Sequence, residues 1–150
     1  MPKVMISRCL MGDNCRWDGG NNLVPELREL YERGLAVPVC PEQLGGLSTP
    51  RLPSEIRGDR VIMHDGTDVT DNFRRGAERA LAIGLKQGCA CAVTKAKSPS
   101  CGCGTVYDGT FTGTLVPGDG IFVQMLKEAG IPVRTEKDDW QAFVKKLIQE

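Results

Sequence analysis

Histidine is almost missing from this chain: His64 stands alone among 150 residues. Catalytic zinc of the histidine-rich kind is therefore disfavoured, and a metal-rich site has to rest on sulfur. An excess of charge is missing too, since 19 basic residues meet 19 acidic ones. No overall field draws the chain to nucleic acid or anionic lipid, so an RNA contact would have to be local. Long apolar runs are absent near the start, where "VMI" is far too short for a signal peptide or a membrane span. The expectation is a cytoplasmic protein without a membrane partner. No repeat, linker or low-complexity stretch is visible, and residues 1–150 suit one domain whose core folds without staples.

What the chain does hold is cysteine, seven times. In a reducing compartment these read as metal ligands or catalytic thiols before disulfides, and an odd number does not form a fully paired framework. Thiolate-loving iron–sulfur chemistry and structural zinc are the two metal readings left open.

Short apolar runs alternate with helical spacing. "KVMISR" (3–8) predicts a strand ending at Cys9, and Leu23, Leu27, Leu30 and Tyr31 predict a helix over 22–33 with Gly34 as its stop. "LAVPVC" predicts a strand ending at Cys40, with Pro38 pointing to a sheet edge or a bulge. The segment 41–58, with three prolines and three glycines, is long for a connection, which favours a functional role. "RVIMH" predicts a strand, and Thr70 the cap of a helix through about Lys86. "CACAVTK" predicts a strand with Cys89 and Cys91 on one face. Asp108–Gly109 marks a hairpin, and Asp119 caps a helix ended by Gly130. "IPVR" and a last helix with Trp140, Phe143, Val144, Leu147 and Ile148 on one face complete the pattern. The fold class is α/β: a mostly parallel sheet flanked by helices, Rossmann-like.

Cys9 and Cys40 end predicted strands, and Cys101 lies in the loop leaving another. Open α/β sheets bind ligands outside the carboxyl ends of their strands. Neighbouring strands lie roughly 4.8 Å apart, so three such thiolates can reach one cluster. Gly12, Gly19, Gly45, Gly46, Gly102 and Gly104 stand near these cysteines and suit close approach to a bulky inorganic group. Cys89 and Cys91 read as small apolar core residues. Cys15 and Cys103 each neighbour a candidate ligand and can supply a fourth. The spacings C-x5-C and C-x-C match neither ordinary zinc-finger pairs nor ferredoxin runs.

Taken together, "SRCLMGDNCRWDGG", "PVCPEQLGGLSTPR" and "KAKSPSCGCG" resemble the signature blocks of the thiouracil desulfidase family, over about the first 120 residues. The resemblance implies an α/β domain holding a 4Fe-4S cluster by three cysteines, with one iron open, and removal of sulfur from thiouracil without net redox change. It implies Cys9, Cys40 and Cys101 as ligands and Glu42 as the catalytic glutamate. Its catalytic serine falls in "KSPSCG", where Ser98 and Ser100 both fit and Ser98 is the better match. It implies a small thiolated pyrimidine as partner, and leaves free base, nucleotide and tRNA-derived fragment as substrate forms.

The residues fit that chemistry. An iron without a cysteine polarises a thiocarbonyl for attack by water. Glu42, two residues after Cys40, suits the role of base, and a serine can hold the water or meet the developing oxyanion. Lys95 and Lys97 offset an anionic cluster or face solvent, Arg51 contacts substrate or lies exposed, and His64 reads as a turn residue. Two other readings compete: a metal-free enzyme carrying a persulfide on Cys101, and a zinc-stabilised interaction module.

Overall fold

The computed structural model describes residues 2–148. Four parallel strands form the main sheet in the order β2-β1-β5-β8: β1 (Lys3–Ser7), β2 (Ala36–Val39), β5 (Cys89–Thr94) and β8 (Val133–Thr135). Helices cover both faces, as a fully parallel sheet requires. On one face α3 (Thr70–Lys86) and α4 (Ile121–Glu128) pack Phe73, Ala77, Phe122 and Leu126 against Met5 and Ala92. On the other, α1 (Pro25–Glu32) and α5 (Trp140–Ile148) bring Leu27, Trp140 and Val144 onto Val4, Ile6 and Val93. The α/β expectation with a parallel, helix-flanked sheet is met. Two antiparallel hairpins, β3 (Ser54–Arg57) with β4 (Arg60–Met63) and β6 (Thr105–Tyr107) with β7 (Leu115–Pro117), stand apart from the sheet. Among the described residues no helix is long and apolar enough to cross a membrane.

Several local expectations need correction. The first helix begins at Pro25, not at 22, because Asn22 is held back by its N–H bond to the Cys9 carbonyl. Leu23 is left outside the helix and exposed. Thr70 does not cap α3; it is the helix's first residue, and its hydroxyl accepts the Val61 N–H at 2.8 Å. Asp119 does not cap α4 either. Gly120 occupies the cap, while Asp119 accepts the Gly104 N–H and pairs with Lys127. The hairpin expected at Asp108–Gly109 is present as β6 and β7, joined by the seven-residue loop 108–114. Cys89 and Cys91 face opposite sides of the sheet, because the β1–β5 register shifts between Lys3 and Val4. Pro38 does lie on an edge strand.

The segment 41–58 contains a short helix, α2 (Pro41–Leu44), pressed backbone to backbone on α3. A Cβ on Gly76 would collide with the Pro41 carbonyl oxygen, and one on Gly45 with that of Asn72. Asn72 Nδ2 and Arg79 Nη1 donate to the Gly45 and Leu44 carbonyls at 2.9 and 2.7 Å, closing the end of α2. Gly76→Ala is therefore expected to lower the unfolding free energy by about 2–3 kcal/mol, whereas Glu78→Ala on the exposed face of α3 stays within about 0.5 kcal/mol. Urea unfolding of the two variants checks this; equal effects would contradict the close approach.

Candidate active site

Cys9 sits in a 3-10 turn (Arg8–Met11) straight after β1, and Cys40 directly precedes α2 after β2. Cys101 lies in the loop leaving β5. Because β2, β1 and β5 are neighbours, all three thiols line one cavity of about 460 Å³. Chain order reverses between β1 and β5, the switch point where doubly wound sheets bind ligands. Cys15 lines the same cavity. Among the described residues, no three His, Cys, Asp or Glu side chains gather tightly enough to share a single metal ion.

Cys15 sits between two of the other thiols. The neighbouring Cys15 thiol lowers the Cys9 thiol and brings Cys40 down to about 7, although burial opposes both, and Cys40 Sγ lies 3.9 Å from the Cys15 carbonyl oxygen. Asn22 Nδ2 adds a 3.7 Å contact to Cys9 Sγ. Placed between these two thiols, Cys15 is itself held strongly on the thiol side. Burial pushes Cys101 up to about 12, against the contacts from Ser100 and Ser7.

Glu42 stands on the cavity wall, fixed from both sides. Arg51 Nε donates to Glu42 Oε1 at 3.0 Å, and the Arg51 side chain is only 4% exposed. Its other nitrogens reach the Cys15 carbonyl at 2.9 Å, the Ser48 carbonyl and Thr49 Oγ1. Arg51 is thus a buried tie between two wall segments, not an exposed loop residue. Ser100 Oγ donates to Glu42 Oε2 at 3.3 Å. Ser98 Oγ accepts the N–H groups of Ser100 and Cys101 at 3.1 and 3.0 Å, and lies 3.2 Å from Ser100 Oγ. With both lone pairs engaged, the Ser98 hydroxyl is left to donate, which orders the chain Ser98, Ser100, Glu42.

The six glycines expected to admit a bulky group do not line the cavity. Gly45 makes room for α3, and Gly102 for the backbone of Ser98. Cys89, Cys91 and Cys103 lie off the cavity, and burial raises all three. Lys95 pairs with Glu136 at 3.1 Å, Lys97 is exposed in a left-handed conformation, and His64 stacks on Phe111.

The family model described as 2-thiouracil desulfurase matches residues 4–138. The chain belongs to this family. An uncharacterised protein of Bacillus subtilis strain 168, YbbK, is 37% identical over 145 residues, covering 90% of this chain and 96% of its own. Among solved structures, the 4Fe-4S-dependent thiouracil desulfidase TudS is 40% identical with a TM-score of 0.91, covering 97% of both chains.

Three features escaped sequence reading: the burial of Arg51, the bridging place of Cys15, and a second cavity carboxylate, Glu55. "CPE" and "TPR" stand nine residues apart between Glu42 and Arg51, and opposite charges around a proline-rich turn were the available signal. Arg51→Met strands the half-buried Glu42 and is expected to cost about 3 kcal/mol of stability in the metal-free protein. Adding Glu42→Gln should return at least about 1 kcal/mol. Equal losses in the single and double variants, measured by urea unfolding, would contradict the pairing.

Proposed function

We propose that these 150 residues act as one cluster-dependent desulfidase domain that converts a thiouracil-type pyrimidine and water to the oxo base and hydrogen sulfide. One observation carries the reading: the thiols of Cys9, Cys40 and Cys101 and the Glu42–Ser100 pair line a single cavity in a chain of this family. Similarity to TudS, a 4Fe-4S-dependent enzyme by its own description, supports the cofactor.

The donor set fits such a group. Cys9, Cys40 and Cys101 would hold it, since all three line the cavity and thiolates are the ligands such clusters take. Cys9 and Cys40, with lowered thiols, are prepared to bind as thiolates. When bound, the cluster supplies an iron without a protein ligand, a Lewis acid that polarises the C=S bond.

The chain's own groups handle water and protons. Glu42, oriented by Arg51, takes a proton from water as the water attacks the thiocarbonyl carbon. It returns that proton to the departing sulfur and then carries over the proton of the new hydroxyl as the C=O forms, so both protons of water leave on hydrogen sulfide and no electron is gained or lost. Ser100 holds the second oxygen of Glu42 in place. Ser98, the less buried hydroxyl, turns its O–H from Ser100 to the attacking water or the oxygen that forms from it once substrate fills the cavity. A cytoplasmic setting suits seven free thiols. The persulfide reading is weakened by the burial of Cys101, whose raised thiol makes a poor nucleophile.

Anaerobic iron and sulfide analysis, followed by thiouracil turnover, tests this reading. Cys9→Ala, Cys40→Ala and Cys101→Ala should each lose bound iron, while Cys15→Ala keeps it. Glu42→Gln should keep iron and slow turnover about 100-fold or more. Iron lost as fully from Cys15→Ala as from the other three would overturn the three-ligand assignment.

A further inference from the structure

The cavity has a second carboxylate with no part in activating water. Glu55, on β3, is only 9% exposed and lines the cavity. Its Oε1 accepts two backbone donors, the N–H of Gly109 at 2.9 Å and of Phe111 at 3.2 Å. The loop that presents them turns through positive φ at both residues, and Arg57 Nε secures it by donating to the Gly109 carbonyl at 2.6 Å. Oε2 has no partner among the described residues, and Glu55 joins no ion pair there. Nor is Oε2 sealed in: among the described residues Thr94 Oγ1 is the enclosed side-chain atom without a partner. A carboxylate so placed calls for an N–H or O–H donor from whatever fills the cavity.

Glu42 offers a contrast. Both of its oxygens are engaged, one by a cation. Glu55 keeps one oxygen empty and has only backbone donors on the other, so it is the stronger acceptor still available to a ligand. In 2-thiouracil and in 4-thiouracil alike, the ring N3–H is bonded directly to the thiocarbonyl carbon. We propose that Glu55 Oε2 accepts this N–H, which makes Glu55 a specificity-determining residue and cyclic secondary thioamides its substrate class. The inference rests on the desulfidase reading above.

Glu55→Gln separates recognition from a merely structural role. Its amide oxygen keeps both loop N–H groups, while its NH₂ sets a donor where the substrate needs an acceptor. In cluster-loaded protein, calorimetric titration with uracil and with 3-methyluracil reads binding apart from turnover. The wild type is expected to bind uracil at least about 10-fold more tightly than 3-methyluracil. Glu55→Gln should weaken uracil by about 10- to 100-fold and abolish the discrimination, with bound iron and melting temperature unchanged. KM for 4-thiouracil should rise in step, with kcat little altered. If the variant does not fold, discrimination by the wild type alone decides. Equal wild-type affinity for the two bases, or unchanged uracil binding by a folded Glu55→Gln, would overturn the proposal. A wild type that turns over neither thiouracil overturns the desulfidase reading and this inference with it; one that does, with a silent Glu55→Gln, overturns the inference alone.

Discussion

Parallel pairing of β2, β1 and β5 is the constraint on which the site depends. Parallel strands all release the chain at the same edge, so residues at positions 9, 40 and 101 arrive together despite their distance in sequence. An antiparallel neighbour would send one cysteine to the opposite edge. The pairing is kept by burial on both faces: Val4, Met5 and Ile6 are wholly enclosed, with alternate side chains entering the two helical layers. Crossing helices on opposite faces then open the switch point between β1 and β5, where the cavity forms.

A second layer of order comes from the segment 41–58. It sets Glu42 at the cavity wall by pressing α2 onto α3 at two glycines, and it returns Arg51 to grip Glu42 from the far side. Arg51 also holds the Cys15 carbonyl. Thiol positions and carboxylate position are therefore mechanically linked through one buried guanidinium. The cost of burying it is offset by acceptors on every nitrogen, which is the condition under which a buried charge becomes a rigid support.

Much of this was legible in the sequence, and for physical reasons. Period and punctuation marked the strands that carry Cys9 and Cys40, and the sheet-edge place of β2 followed from Pro38. Caps misled. Thr70 and Asp119 look like helix starters, yet each hydroxyl or carboxylate serves a backbone N–H elsewhere in the fold. The glycines misled in another way: Gly45 and Gly102 make room for protein backbone, and only tertiary contact reveals which neighbour needs the room. Register defeated the pairing of Cys89 with Cys91, since one irregularity in a ladder turns i and i+2 to opposite faces. The burial of Glu55 was unreadable, and that of Arg51 only hinted at by its spacing from Glu42, because burial of a charged residue is decided by what folds over it.

Where iron sits in this cavity distinguishes a three-cysteine cluster from every other use of these thiols. Anomalous diffraction at the iron edge, from crystals grown without oxygen, measures that directly. The expected result is a compact group of iron peaks facing Cys9, Cys40 and Cys101, with the iron nearest Glu42 free of any cysteine sulfur. A single metal peak, or Cys15 Sγ bonded to the remaining iron, would contradict it.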